Sequence, residues 1–235
     1  MRTRSYSSST RTTVATRALV LPVALLVLGA APGTSPAAPA AARPAAPAAA
    51  GAGAAHEELA LGARGPSFAL KGTDGETHSL ESLKGAKGTA VIFTCNTCPF
   101  SQGYEARLIA LANEYRPKGI GFVAINPNDA RSVPGEAFDL MVARAKEKGY
   151  PFPYLVDETQ SAAAAYGAKV TPHVFLMDAD GTLVYRGRVD DSLEEGKVKA
   201  RDFKAALDAI VAGQAIPVAA TKAFGCSVKW AKKSA

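Results

Sequence analysis

The stretch Phe93–Ser101 reads FTCNTCPFS and contains two of the three cysteines of the chain, Cys95 and Cys98. It follows the apolar run GTAVIF at 88–93, which is typical of a buried strand. Behind it, apolar residues recur at helical spacing between 104 and 115. A Cys-x-x-Cys turn between a buried strand and an amphipathic helix indicates a redox-active dithiol.

The position of the two cysteines predicts different chemistry for each. We expect the sulfur of Cys95 at the helix N-terminus and within reach of solvent, because unpaired N–H groups and the helix dipole stabilise a thiolate there. Such placement lowers a thiol pKa from about 8.5 into a range of roughly 3.5–7.5. Cys98, one turn further on, can resolve a mixed disulfide, and Pro99 suits a first helical turn because its missing N–H is not needed there. A purely structural disulfide is disfavoured, since so short a loop removes little entropy from the unfolded chain.

A second motif lies at 169–181, KVTPHVFLMDADG, where Thr171 and Pro172 precede a hairpin strand. Proline is tolerated at the first residue of a strand, where no ladder N–H is required. An X-Pro bond can be cis at modest cost, and the sequence leaves the isomer open.

The hydrophobic pattern predicts an α/β domain with a central mixed β-sheet flanked by helices, an N-terminal β-hairpin and a helical insertion. Predicted strands lie at 68–70, 77–80, 88–93, 120–125, 154–156, 174–177 and 183–185. Predicted helices follow the cysteines as far as Pro117 and then cover 138–145, 159–166 and 203–211.

The N-terminus has the pattern of an export signal. Residues 1–17 are basic, and the apolar run at 18–31 is shorter than the about 20 residues of a bilayer span. Residues 1–31 are therefore predicted to be a signal peptide or an N-terminal anchor. The Ala/Pro-rich segment 32–55 is predicted to be a disordered linker and 56–235 the folded domain. Either reading predicts an exported, periplasmic or extracytoplasmic protein, tethered to the membrane if the anchor is retained.

The charge distribution argues against a nucleic-acid partner. The formal net charge is +6, but residues 1–55 contribute five arginines and no acidic residue, so the folded part is close to neutral. A near-neutral domain lacks the basic patch that nucleic acid or an anionic membrane requires. The sequence leaves the oligomeric state open.

The order of strand, CxxC, helix, Thr-Pro and hairpin resembles the thioredoxin fold. The segment GPSFALKGTDGETHSLESLKG at 65–85 resembles the opening of the redoxin branch, which holds TlpA/ResA-type proteins and AhpC/TSA peroxiredoxins. The chain is most similar to peroxiredoxin-like thioredoxin-family proteins through VIFTCNTCPFS, TPHVFLMDADG and the tail FGCSVKW, and this likeness runs from 66 to 230.

The resemblance implies a thiol–disulfide oxidoreductase that needs no cofactor. By motif, Cys95 would be the attacking thiol, Cys98 the resolving thiol, and Pro172 the cis-proline preceded by Thr171. The implied partners are protein or small-molecule thiols and disulfides, or hydroperoxides if the protein is a peroxidase. The pair between the cysteines tunes the reduction potential in this family, and Asn96-Thr97 replaces the Gly-Pro of thioredoxin, so the direction of exchange stays open.

A peroxiredoxin-like thiol peroxidase is the first alternative. Cys98-Pro99 matches the Cys-Pro of peroxiredoxins, but Cys95 occupies the place of their threonine. Peroxiredoxins also use an arginine to polarise the peroxide. No arginine stands beside Thr171-Pro172, and Arg186 and Arg188 lie in the next strand.

A Cu(I)-binding chaperone of the Sco type is the second alternative. Such proteins share the redoxin fold and use two cysteines with a distant histidine, and thiolates suit Cu(I). Their cysteines are usually four apart, whereas Cys95 and Cys98 are three apart. His173 is either a partly buried strand residue or a neighbour of the dithiol that tunes its pKa or binds a metal.

The third cysteine, Cys226, has no obvious partner in the sequence. It is either a tail thiol packed with Phe224 and Trp230 against the domain, or a third redox thiol that reaches Cys95 or a partner protein.

Overall fold

A computed structural model describes residues 56–232. The predicted signal peptide or anchor (1–31) and the predicted linker (32–55) lie outside the described residues. Within the part that is described, the helices are all too short or too polar to cross a bilayer.

Strands and helices alternate along the chain, close to where the hydrophobic pattern predicts them. The strands are β1 (Ala69–Gly72), β2 (Thr77–Ser79), β3 (Gly88–Phe93), β4 (Ile120–Asn126), β5 (Tyr154–Val156), β6 (Val170–Thr171), β7 (His173–Asp178), β8 (Leu183–Gly187) and β9 (Cys226–Ser227). The helices are α1 (Pro99–Tyr115), α2 (Phe138–Lys148), α3 (Ser161–Tyr166) and α4 (Asp202–Ala212).

Seven of the strands form one mixed sheet in the order β2-β1-β5-β4-β3-β7-β8. Strands β3, β4 and β5 run parallel, while β7, β8 and the β1–β2 hairpin are antiparallel to their neighbours. The architecture confirms the predicted thioredoxin-like α/β fold.

Both faces of the sheet are covered by helices. This explains why the sequence of β3 is apolar at every position. All six of its residues are buried. Ala90 and Ile92 belong to the core formed with α1, α2 and α4, whereas Val91 and Phe93 belong to the core formed with α3. A strand that is buried on both faces has no polar side, so it reads as a run rather than as an alternation.

Helix α1 begins where proline allows it to begin. Pro99 occupies the first helical position, and Cys98 before it has extended backbone angles and is the N-cap. The apolar residues predicted to face the core are Tyr104, Leu108, Leu111 and Tyr115; three of them are buried, and Leu111 is partly buried and packs against the core. The helix ends at Tyr115, before a short 3-10 turn that contains Pro117.

The sheet topology brings the two sequence motifs together. In the antiparallel pair β3–β7, Phe93 lies opposite His173. The end of β3, which leads to Cys95, is therefore beside the start of β7, which follows Thr171 and Pro172.

The sequence did not predict the small sheet formed by β6 and β9. In this antiparallel pair Thr171 lies opposite Cys226, and the Val228 N–H continues the pairing by donating to the Lys169 carbonyl at 3.1 Å. Two-residue strands carry no periodic signal, which is why the pattern missed them. The consequence is that the C-terminal tail returns to the Thr171-Pro172 loop.

The glycines that end α2 and α3 can be used to test whether the segment before β1 packs against the end of α3. Gly149 and Gly167 both have positive φ, and a Cβ would meet nothing at Gly149 but would lie 2.0 Å from the Glu57 carbonyl oxygen at Gly167. We expect Gly149→Ala to cost about 1 kcal/mol of unfolding free energy. Gly167→Ala should cost at least about 1 kcal/mol more. Urea denaturation of the two variants measures the difference, and equal losses would contradict this packing.

Candidate active site

The structure brings together all four residues that the sequence singles out. The Cys95 sulfur is 3.1 Å from the Thr171 hydroxyl oxygen, and the Cys98 thiol donates to the Thr171 carbonyl at 3.3 Å. The Thr171–Pro172 peptide bond is cis. Both cysteines are free thiols, and they interact directly with each other. Ser101, from the first turn of α1, adds a hydroxyl 3.7 Å from the Cys95 sulfur.

The expectation that the Cys95 sulfur caps the helix needs correction, because the N-cap residue is Cys98, although the Cys95 sulfur still lies beside Ser101 of the first helical turn. Pro99 takes the first helical position, so the residue before it becomes the N-cap, and Cys95 lies three residues earlier. The expectation of a solvent-accessible sulfur also needs correction. Cys95 and Cys98 are each only 3% exposed.

The two thiols share one hydrogen bond, and the direction of their pKa shifts leads us to assign the negative charge of the reduced pair to Cys98. The hydrogen bond from the Cys95 thiol lowers the pKa of Cys98 most, against the cost of burial, and the Cys226 thiol and the N–H groups of Ser101 and Cys226 add to the effect. The Ser101 N–H is the group that an N-cap side chain ordinarily accepts from. The same hydrogen bond, burial and the nearby Glu136 carboxylate raise the pKa of Cys95.

Glu136 holds the turn between the two cysteines. Its side chain is 1% exposed, and its carboxylate accepts hydrogen bonds from the Asn96 N–H at 2.8 Å, the Thr97 N–H at 3.0 Å and the Thr97 hydroxyl at 2.6 Å. The Asn126 amide donates a further bond at 2.9 Å. Burial alone would raise the pKa of Glu136, but these hydrogen bonds outweigh it and the pKa lies below its ordinary value.

Sequence reasoning missed Glu136, and no local signal marks it. The residue lies in a short 3-10 turn between β4 and α2, in a segment without helical or strand periodicity. A single glutamate in such a loop reads as a solvated side chain. Only the fold shows that it is buried against the backbone of Asn96 and Thr97.

His173 is a fully buried strand residue rather than a member of the site. It is 1% exposed, and burial lowers its pKa to about 4. Its contacts are the Lys169 N–H at 3.4 Å, the Glu58 carboxylate at 4.0 Å and the Phe175 ring. Between residues 56 and 232, no group of three or more His, Cys, Asp or Glu side chains is arranged to hold a metal ion.

The two arginines considered for peroxide activation are engaged elsewhere. Arg186 donates to the Leu59 carbonyl at 2.9 Å and pairs with Glu58 at 3.3 Å. Arg188 pairs with Asp202 at 2.6 Å. Arg186 thus ties β8 to the N-terminal segment, and Arg188, which follows β8, ties the loop after it to α4.

Cys226 lies beside the dithiol. It is partly exposed and pairs with Thr171, whose carbonyl oxygen is 3.3 Å from the Cys98 sulfur, and the pKa values of Cys98 and Cys226 influence each other. The tail also packs as the simpler interpretation predicts, since Phe224 contacts the rings of Phe100 and Tyr104. The site therefore contains three sulfur atoms.

The chain is similar to a protein family, to thiol-disulfide oxidoreductases named ResA and to solved structures. The chain matches the Redoxin family over residues 60–207. It is 27% identical to the thiol-disulfide oxidoreductase ResA of Halalkalibacterium halodurans over 124 residues, which are 52% of this chain and 65% of that protein, so the match spans less than two thirds of the relative.

Two solved structures match over more of the chain. An uncharacterised conserved protein from Geobacillus kaustophilus is 42% identical, with a TM-score of 0.72 over 76% of this chain and 96% of that one. A hypothetical protein from Sinorhizobium meliloti is 37% identical, with a TM-score of 0.71 over 76% and 98% of the two chains.

The buried Glu136 carboxylate predicts a pH-dependent contribution to stability. Its pKa in the folded protein is below the ordinary 4.5, so its stabilisation is present above that pH and is lost as the pH falls further. We expect Glu136→Gln to lower the unfolding free energy by about 1–3 kcal/mol at about pH 7, because the turn N–H groups lose a charged acceptor. The difference from the unmodified protein should shrink at about pH 3.5.

Urea denaturation at the two pH values checks this. Glu114→Gln is the matched control, because Glu114 is exposed on α1 and its ion pair with Lys118 is screened by solvent. A Glu136→Gln deficit that is the same at both pH values would contradict the assignment of an ionised carboxylate.

Proposed function

Because the chain belongs to the Redoxin family, we propose that it is an exported thiol–disulfide oxidoreductase that reacts through Cys95 and Cys98. The observation that carries the proposal is the pair of adjacent free thiols at the start of α1, held against the Thr171 carbonyl and hydroxyl groups. The name of the ResA relative supports the same class of reaction.

The reaction begins with the Cys98 thiolate. It attacks one sulfur of a partner disulfide, an S–S bond forms between Cys98 and the partner, and the other partner sulfur leaves as a thiolate that takes up a proton. The resemblance assigns this attack to Cys95. The charge distribution favours Cys98, since its pKa is lowered while that of Cys95 is raised.

Cys95 then resolves the mixed disulfide. After losing its proton it attacks the Cys98 sulfur, the Cys95–Cys98 disulfide forms, and the second partner sulfur leaves and is protonated. The partner disulfide is reduced to two thiols and the protein dithiol is oxidised. The sequence of steps runs in reverse if the resting protein is oxidised and the partner is a dithiol.

Thr171 and Pro172 position this chemistry. The Thr171 carbonyl accepts from Cys98 while that cysteine is a thiol, and the Thr171 hydroxyl lies 3.1 Å from the Cys95 sulfur, so one residue contacts both sulfurs. Glu136 fixes the intervening Asn96 and Thr97. A turn held in this way keeps the two sulfurs within reach of each other throughout the exchange.

The N-terminal sequence supports the location in this proposal. Residues 1–31 have the pattern of a signal peptide or anchor and 32–55 that of a linker, so the domain from 56 onward would lie outside the cytoplasm. A disulfide can persist in that compartment.

A thiol peroxidase is the second candidate, favoured by Cys98 as a helix N-cap followed by Pro99. The Cys98 thiolate would attack a hydroperoxide, forming a sulfenic acid and releasing an alcohol or water. Cys95 would then form the disulfide with loss of water. Both activities end at the same Cys95–Cys98 bond, so only the oxidant distinguishes them.

We expect the reduced protein to form the Cys95–Cys98 disulfide when it reacts with oxidised glutathione or with insulin disulfides. The substitution Cys98→Ser should slow the exchange by at least about a hundredfold, because it removes the thiolate that attacks the partner disulfide. Peptide mapping by mass spectrometry follows the bond and thiol titration follows the rate. The unmodified chain unfolded in urea is the reference for ordinary thiols.

The oxidant separates the outcomes. Exchange with disulfides that is faster than in the unfolded reference supports the oxidoreductase. Oxidation by hydroperoxide alone, with disulfides reacting no faster than in urea, would favour the peroxidase. Full activity in Cys98→Ser would contradict the assigned thiolate.

A further inference from the structure

We propose that Cys226 is a third redox thiol, which resolves a mixed disulfide at Cys98 in parallel with Cys95. The proposal rests on the proposed function, because it requires that Cys98 form a mixed disulfide. It assigns a reacting group outside the CxxC motif and a Cys98–Cys226 disulfide as its product.

The backbone places Cys226 against the site. In the β6–β9 pair Cys226 is the residue opposite Thr171, whose carbonyl accepts from the Cys98 thiol. Cys226 lies close enough to Cys98 for its thiol and N–H to lower the pKa of Cys98, and Cys98 in turn raises the pKa of Cys226. The sulfurs of Cys95 and Cys226 are thus both neighbours of the Cys98 sulfur.

Several contacts hold the tail in this position. The Phe224 ring lies 6.0 Å from that of Phe100 in an edge-on arrangement. After Cys226, the Val228 N–H donates to the Lys169 carbonyl at 3.1 Å. The next N–H, that of Lys229, donates to the side-chain oxygen of Asn128 at 2.8 Å. The sulfur of Cys226 is therefore fixed on both sides along the chain.

Gly225 permits the close approach. A Cβ at this position would lie 2.2 Å from the Thr171 carbonyl oxygen, a distance that no side chain tolerates. The glycine of FGCSVKW is thus required for the tail to pair beside Pro172. A larger residue would move the Cys226 sulfur without removing it.

Exposure gives the third thiol a role that Cys95 cannot fill. Cys95 and Cys98 are each 3% exposed, while Cys226 is partly exposed. Cys226 is therefore the sulfur nearest to solvent among the three. A Cys98–Cys226 disulfide would present a sulfur to an external thiol, and attack on Cys226 would expel Cys98, whose lowered pKa makes it the better leaving group.

The step is balanced without any further reagent. In the mixed disulfide the partner sulfur is bonded to Cys98. The Cys226 thiolate attacks the Cys98 sulfur, the Cys98–Cys226 bond forms, and the bond to the partner breaks with its electron pair on the partner sulfur. The proton lost by Cys226 equals the proton gained by the partner thiolate, and the partner is reduced while Cys98 and Cys226 share the oxidation.

The charges around Cys226 keep it protonated until Cys98 has formed the mixed disulfide. Burial and the hydrogen bond and charge of Cys98 raise the pKa of Cys226 to about 11, whereas Lys229 acts in the opposite direction. Once Cys98 is part of a mixed disulfide, its negative charge is gone. Cys226 then loses its proton more easily, with Lys229 still favouring the thiolate.

The test uses the full chain, oxidised glutathione as the probe, and peptide mapping by mass spectrometry. In reduced Cys95→Ser, we expect a short-lived glutathione adduct on Cys98 followed by a Cys98–Cys226 disulfide. In Cys95→Ser/Cys226→Ser the adduct should last at least about tenfold longer, because an intramolecular thiol acts at an effective concentration of millimolar or higher.

A second pair of variants tests the position of the thiol. In the Cys95→Ser background, Gly225→Ala should prolong the adduct. Gly196→Ala should not, because a Cβ at Gly196 meets nothing.

The outcomes are distinct. Equal adduct lifetimes in the single and double variants, with Cys226 still a free thiol, would overturn the role of Cys226 and leave the exchange at Cys98 intact. Absence of any adduct on Cys98 in both variants, and of any disulfide in the unmodified protein, would overturn the proposed function and this inference together.

Discussion

The start of α1 decides where the charge of the dithiol lies. Pro99 fills the first helical position, so Cys98 becomes the N-cap, and the nearby Ser101 N–H is one of the groups that lower the pKa of Cys98. The interaction with the Cys95 thiol lowers the pKa of Cys98 most, the Cys226 thiol and the Ser101 N–H add to it, and the pKa of Cys95 rises in turn. The pKa values of the two cysteines in one motif are thereby shifted in opposite directions, so that one thiol acts as the nucleophile and the other as the resolving thiol.

Groups from three distant parts of the chain maintain this arrangement. Glu136 holds the backbone of the turn through Asn96 and Thr97, and its charge also raises the pKa of Cys95. Thr171 contacts both reacting sulfurs. The tail strand β9 then pairs with Thr171, so the residue that holds the dithiol also holds the third thiol beside it. The position of each sulfur depends on the same few backbone groups.

The sequence predicted the features that local pattern encodes. The buried run before Cys95, the helical spacing after it and the hairpin after Pro172 predicted an α/β domain with a mixed sheet, and the resemblance carried by these motifs implied the thioredoxin-like fold. Pro99 correctly indicates that the helix begins near Cys98, whereas the sulfur of Cys95 was expected to cap it and the N-cap residue is Cys98. Glu136 and the pairing of Cys226 could not be predicted, since one residue in a loop and a two-residue strand have no periodicity and their contacts are long-range.

A nuclear magnetic resonance titration of the reduced protein, carrying ¹³C at the cysteine Cβ atoms, tests the central claim most directly. Each signal reports the ionisation of its own sulfur, and serine variants assign the signals. The account predicts that the Cys98 signal titrates below the ordinary thiol pKa of 9.0, while Cys95 remains a protonated thiol past that value. A titration in which Cys95 ionises first would contradict it.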